Sequence, residues 1–319
     1  YNGEKFIREQ LLSIINQTHA VDEVVVCDDG SKDATLEIVQ QVAAEYPNVL
    51  FRIQKNVQNV GYIRNFQNAI NLCCNEIIFL SDQDDVWRKD KVERILTWFA
   101  EHPEKDAVFT NAELIDENGN CFTEKDLFFC WGFDEKAKGY FNNGYAFELF
   151  VGSNRATGAT MAVRNANNLN CVDGWNDIPH DRVIAMLSVL RDGLGSIDLP
   201  LIWYRNHSSQ QIGATTYLDN PFSNDIFDTY YDGAGIWKDT ILPEIRKEEI
   251  AFHNRQLGLQ YRFFGPIIAL LDIRQYKKLY VNRLHSFAYM RFLYADIKRS
   301  IYHSLYRAKR FFCRKLFCA

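Results

Sequence analysis

The stretch EIIFLSDQDDVW, residues 76–87, sets the reading of the whole chain. An apolar run, Ile77-Ile78-Phe79-Leu80, leads straight into Asp82, Asp84 and Asp85. A short apolar run bounded by turn-forming residues reads as a buried strand, so the carboxylates fall at its carboxyl end. Grouping acids there is costly unless a cation neutralises them. Mg²⁺ or Mn²⁺ bridging a phosphorylated ligand would do so, because such ions take one or two carboxylates together with phosphate oxygens and water. The plainer alternative is a solvated turn capping a helix that begins near Lys89.

A second strand end repeats the pattern. Glu23 to Cys27 is β-branched, and Asp28-Asp29-Gly30-Ser31-Lys32-Asp33-Ala34-Thr35 follows. In an open parallel sheet, ligands bind beyond the carboxyl ends of strands. Asp29 is therefore a candidate acceptor for a base or ribose, although a turn and helix cap explain the same residues. Between the two lies Asn59-Val60-Gly61-Tyr62-Ile63-Arg64-Asn65-Phe66. Gly61 opens a helix whose N-terminus attracts phosphate, and Arg64 adds charge for a diphosphate. A lone Gly-x-x-Arg is more often structural. No Walker loop and no Gly-x-Gly-x-x-Gly is present, which argues against ATPase and NAD chemistry.

Working outward, periodicity predicts helices over 4–16, 33–46, 62–74, 89–100 and 180–191. It predicts strands over 23–27, 49–53, 76–80, 107–110, 157–163 and 196–204. Asp33 is a plausible cap or first-turn acid of the second helix. Strand–helix alternation implies an α/β domain with a mostly parallel, helix-covered sheet. Residues 111–150 lack a clear period and read as loops and short strands. Residues 207–235 read as a loop or linker, and the pattern from 242 onward is helical.

At 319 residues, 47% of them hydrophobic and 24% charged, the chain has an ordinary globular composition with ample core. It contains no run of 18 apolar residues, so a transmembrane helix is not expected. The first residue is not methionine, which reads as a cut end. Eight cysteines without a CxxC pair argue against zinc and against a disulfide framework, and fit a reducing cytosol. Charge is uneven: residues 1–250 hold 22 Lys+Arg against 39 Asp+Glu, residues 251–319 hold 14 against 2. Such a split points to a tail with its own partner.

Tyr1-Asn2-Gly3-Glu4, Asp28-Asp29-Gly30-Ser31-x-Asp33-x-Thr35, Asn59-x-Gly61-x-x-Arg64-Asn65 and Ser81-Asp82-Gln83-Asp84-Asp85-Val86-Trp87 occur in that order. Together they resemble family 2 glycosyltransferases of the GT-A fold. Gly158-Ala159-Thr160-Met161, His180-Asp181 and Tyr204-Arg205-x-His207 resemble its rhamnosyltransferase-like branch. The resemblance covers about residues 1–213, taken as the GT-A domain, with 214–241 as linker and 242–319 as a helical basic extension. It implies an inverting, metal-dependent transferase. Asp29 would hold the base, Arg64 would lie near base or diphosphate, and Asp82 near the ribose. Asp84 would hold Mg²⁺ or Mn²⁺, His207 would be a further ligand, and Asp181 the catalytic base. Asp85 is an adjoining acid without a separable role. Gly158 and Thr160, with Trp175, are candidates for the acceptor or sugar platform. Two departures stand out: the family's first strand, which precedes Tyr-Asn-Gly, is missing, and His180-Asp181 replaces the usual Glu-Asp.

Chemistry independent of the resemblance leaves alternatives open. Asp181 also suits an N-cap after Pro179, and His207 also suits a loop histidine. Trp87, Trp203 and Tyr204 also suit a core. A nucleotidyltransferase would need a Gly-rich N-terminal loop, which is absent; a non-catalytic nucleotide-sugar-binding or defective homologue remains a rival. In the tail, Ile297, Ile301, Leu305 and Phe312 fall near one face among Lys298, Arg299, Lys309, Arg310 and Arg314. This is the pattern of a helix in a membrane interface, against a packed helical cap as the plainer reading. The motifs give no support to nucleic acid binding. The expected partners are a nucleotide-sugar donor, a glycan or lipid-linked acceptor, and a membrane surface. The expected place is cytoplasmic, peripheral at the inner face of the membrane.

Overall fold

The computed structural model describes residues 1–144, 146, 149, 150, 154–165, 179–208, 210, 213, 214 and 218. Among them seven strands form two sheets. The smaller pairs β1 (Glu23–Asp28) with β2 (Leu50–Lys55) in parallel. The larger runs in the order β3 (Ile77–Phe79), β6 (Met161–Arg164), β5 (Ala107–Ile115), β7 (Leu194–Arg205), β4 (Val86–Trp87). There β6 is antiparallel to both β3 and β5, β4 is antiparallel to β7, and β5 is parallel to β7. The α/β architecture is present, and the pairing is more mixed than strand–helix alternation implies. The register of β5 against β7 slips where Asn111 faces Pro200, which lacks the N–H that a ladder needs.

Helices α1 (Ile7–Ile15), α2 (Thr35–Glu45), α3 (Tyr62–Leu72) and α4 (Lys91–Glu101) alternate with the first strands, each within a few residues of its expected place. Buried Leu11, Val24, Val39, Val92, Leu114 and Ile202 belong to one core that spans both sheets. Asp33 accepts the Thr35 N–H at 3.1 Å, but it stands one residue before the Ala34 N-cap, so it is neither the cap nor a first-turn acid as expected; Glu37 holds the first-turn place. Two short helices, α5 (Leu127–Cys130) and α6 (Glu135–Asn142), stand where loops and short strands were expected. Their caps decide this: Asp126 accepts the Phe129 N–H and Asp134 the Ala137 N–H. The strand expected over 157–163 is a 3₁₀ turn, Gly158–Thr160, followed by β6. Helix α7 (His180–Leu190) is the last helix among the described residues. The helix expected over 62–74 stops at Leu72, so Cys73 follows its end and Cys74 is exposed beyond it.

The edge of β1 opposite β2 and the edge of β3 opposite β6 carry no ladder partner among the described residues. Side chains of both strands line a single cavity of about 1380 Å³, apolar at that end and acidic at the strands' carboxyl ends. Among the described residues no helix is long and apolar enough to cross a membrane.

Candidate active site

The motif pieces interlock before they meet any ligand. Asn2 receives the Lys32 N–H at 2.9 Å and donates its own N–H to Ser31 Oγ at 2.9 Å. Glu4 Oε2 accepts the Ala34 N–H at 2.9 Å, and Gly3 N–H reaches Thr35 Oγ1 at 2.7 Å. A side chain on Gly3 would meet the Gln83 amide at 2.8 Å, so the glycine lets the first loop lie against the acid stretch.

At the end of β1, Asp29 is buried and its carboxylate ties down the loop before α3. It accepts Asn56 Nδ2 at 2.9 Å, Val60 N–H at 2.8 Å and Gly61 N–H at 3.0 Å. Gly61 takes φ +83°, a region that favours glycine, and this aims its N–H at the acid. Asp29 still lines the cavity, and a carboxylate has about four acceptor positions, so capacity for a ligand donor remains. Arg64 is exposed on α3 and is not among the residues lining the cavity.

At the end of β3 the three acids separate by depth. Asp82 is half-buried and lines the cavity. Burial, then Asp84 and Asp181, push its carboxyl up to about 7. Asp84 Oδ2 meets His207 Nε2 at 2.8 Å, and both line the cavity. Asp85 is 1% exposed and lies beneath. Its Oδ1 accepts the Arg205 N–H at 2.9 Å and its Oδ2 has no partner. Burial, then Asp84 and Asp82, raise its carboxyl well above the usual range.

Arg205 organises this floor, a part that sequence reasoning left unassigned. Its guanidinium donates to Asp84 O at 2.7 Å, to Asp116 O at 3.3 Å, to Glu117 O at 3.2 Å and to Glu9 at 2.7 Å. It also lies 4.7 Å from the Phe6 ring, which packs 4.9 Å from the His207 imidazole. A buried arginine two residues before a candidate metal ligand was the available signal.

Asp181 also lines the cavity, from the first turn of α7. Its Oδ1 accepts the Arg182 N–H at 2.7 Å and its Oδ2 accepts the Gly158 N–H at 3.1 Å. Gly158 lines the cavity; Thr160 is buried, outside that lining, and donates to Thr157 O at 2.7 Å. Next to Asp181, His180 stacks on Phe66 with ring centroids 3.8 Å apart, and burial lowers its imidazole. Trp87 and Tyr204 are buried in the core, and Trp203 donates to Glu113 at 2.8 Å. Trp175 lies outside the described residues.

The cavity therefore brings together Asp29, Asp82, Asp84, Asp181, Gly158 and His207. Among the described residues no group of three His, Cys, Asp or Glu encloses one point as a complete metal cage. A carboxylate and an imidazole in contact, with ligand oxygens completing the shell, still suit a hard divalent ion.

Residues 1–164 match the sequence profile described as "Glycosyl transferase family 2", about half of the chain. The chain belongs to glycosyl transferase family 2. Its fold is GT-A. It is 26% identical over 309 residues to the dTDP-rhamnosyl transferase RfbG of Shigella flexneri, covering 89% of this chain and 96% of that protein. It is 39% identical over 120 residues to the chondroitin synthase of Escherichia coli, covering 38% of this chain and 17% of the synthase. In three dimensions it resembles S. aureus TarS 1-349, solved in complex with UDP-GlcNAc, at a TM-score of 0.50 and 18% identity, covering 84% of this chain and 78% of that one.

Proposed function

We propose that this glycosyltransferase moves a sugar from a nucleoside-diphosphate sugar to a glycan or lipid-linked acceptor, with inversion at the anomeric carbon, in the assembly of a bacterial surface glycan. The observation that carries this is the meeting of Asp82, Asp84, His207 and Asp181 in one cavity at the carboxyl ends of the strands. The near full-length similarity to a dTDP-rhamnosyl transferase favours a dTDP- or UDP-linked donor. Asp84 and His207 would hold a divalent ion, which when bound stabilises charge on the leaving diphosphate. Asp82 would lie toward the ribose and Asp29 toward the base, with Arg64 near the diphosphate only if its side chain turns inward. Asp181 takes the proton of the acceptor hydroxyl as the bond to the anomeric carbon forms and the bond to the leaving diphosphate breaks. Asp181 lies in the first turn of α7 and not at its N-cap, and the Gly158 and Arg182 N–H groups that fix its carboxylate are compatible with this role. The apolar end of the cavity, between the open edges of β1 and β3, is read as the seat of the family's first strand.

The segment 242–319 is read as a basic helical region that lies on an anionic membrane and brings the site to a lipid-linked acceptor at its inner face. Its 14 basic residues against 2 acids, from residue 251, support this reading. The test is nucleotide release from a panel of dTDP- and UDP-sugars with Mn²⁺ and a lipid-linked acceptor. Release in the native enzyme, lost in Asp181→Asn while nucleotide binding persists, supports the reading; equal release in both sinks the base assignment.

A further inference from the structure

Lys91 is the first residue of α4, and its side chain is fully buried. Two physical rules oppose that placement. The N-terminal end of a helix carries partial positive charge, which disfavours a cation. A buried ammonium is expensive unless it is well partnered. A residue that breaks both rules points to a compensating role.

Its contacts define that role. Lys91 Nζ donates to Ala159 O at 2.9 Å and lies 4.1 Å from the Trp87 ring. Ala159 is the middle residue of the Gly158–Thr160 turn, and Gly158 N–H holds Asp181 Oδ2 at 3.1 Å. Trp87 ends the acid stretch, and the neighbouring N–H of α4, Val92, is held by Gln17 Oε1 at 3.0 Å. Burial pushes the Lys91 ammonium down to about 7, while Asp85 and Asp82 draw it back up. The side chain thus spans from Trp87, at the end of the acid stretch, to the turn that carries the Asp181 contact.

We propose that Lys91 is a positioning residue, a strut that locks the acid stretch to the Gly158–Thr160 turn and through Gly158 N–H sets the Asp181 carboxylate. The proposal rests on the reading of Asp181 as the base. Removing the strut frees the turn, and the base loses its aim while the donor-binding acids stay in place.

The experiment compares Lys91→Met, which keeps the bulk, with Lys91→Gln, which is also neutral but retains an N–H for Ala159 O. In Lys91→Met the transfer kcat falls by about 10- to 100-fold, the scale of a misplaced catalytic group, and the donor KM changes by less than about threefold. Lys91→Gln retains more kcat than Lys91→Met. In an Asp181→Asn background Lys91→Met costs less than about threefold more, because both act through one group. Amide exchange over Thr157–Met161 quickens in Lys91→Met and by a smaller factor in Lys91→Gln, whose shorter side chain holds Ala159 O less well; this readout needs no turnover, and Lys91→Gln against the native chain still gives it if the Met variant does not fold. Additive losses with Asp181→Asn, equal kcat in the two Lys91 variants, or unchanged exchange would overturn the strut. Native enzyme that transfers from no nucleotide sugar would instead sink the functional reading, while exchange still decides the role of Lys91.

Discussion

Replacing Arg205 by lysine tests how the floor of the site is held. The guanidinium is 2% exposed and serves the carbonyls of Asp84, Asp116 and Glu117 together with Glu9. An ammonium has three donors and no planar fork, so it cannot span Asp84 O on one side and the 116–117 carbonyls on the other. Leaving the buried Asp84 O without its partner costs about 1–3 kcal/mol, and the part-buried Asp116 and Glu117 carbonyls add less each. Glu9 is 58% exposed, so its ion pair adds only ~0–1 kcal/mol after solvent screening. The net loss is about 3 kcal/mol, which lowers Tm by roughly 6–12 °C at about 2–4 °C per kcal/mol for a domain of this size. Because Asp84 is held through its own carbonyl, metal-supported nucleotide binding weakens in step. Thermal unfolding by near-UV circular dichroism, read beside nucleotide calorimetry, is the assay. A Tm within 2 °C of the parent would show that Arg205 does not carry this floor.

Four further outcomes follow from the same geometry. Gly158→Ala places a Cβ 2.9 Å from His180 Nε2 and 3.5 Å from Asp181 Cβ, so transfer falls by roughly tenfold or more with donor binding retained, measured by steady-state kinetics. His207→Ala raises the Mn²⁺ concentration needed for half-maximal activity by about tenfold, with little loss at saturating metal. Burial lowers the His180 pKa below its ordinary 6.5, so the unfolded chain binds the extra proton first and stability is lost as pH falls through 6.5. Denaturant titrations at pH 5 and 7.5 should show a smaller difference in His180→Phe, which keeps the stack on Phe66. Deleting residues 290–319 moves the protein from membrane to soluble fractions, and unchanged partitioning would refute the membrane role of the tail.

Much of the architecture was legible because burial periodicity and strand ends were strong. Glu23–Asp28, Leu50–Lys55 and Ile77–Phe79 all lie within two residues of their expected bounds. β5 ran on to Ile115 unseen, because residues 111–115 face the core almost throughout and show no alternation. The helices α5 and α6 were hidden in an aromatic stretch whose Phe133 ring meets Phe128 and the β5 residue Phe109 edge-on, a packing that sequence spacing does not encode. At the site, Asp82 and Asp84 were readable as acids at a strand end, whereas Asp181 came only from the family resemblance, since an acid opening a helix reads first as a cap. The off-cavity position of Arg64 was not, since neighbouring positions of one helix turn, Tyr62 and Asn65, take the lining. Lys91 escaped notice because a lysine opening a helix looks solvated until its burial is known.

Calorimetric titration of the native chain and of Asp84→Asn with dTDP and UDP, each with and without Mn²⁺, tests the central claim most directly. Metal-dependent binding in the native chain that falls by at least tenfold in Asp84→Asn is the predicted result. Binding that ignores both the metal and the substitution would contradict a strand-end carboxylate site for a nucleotide diphosphate.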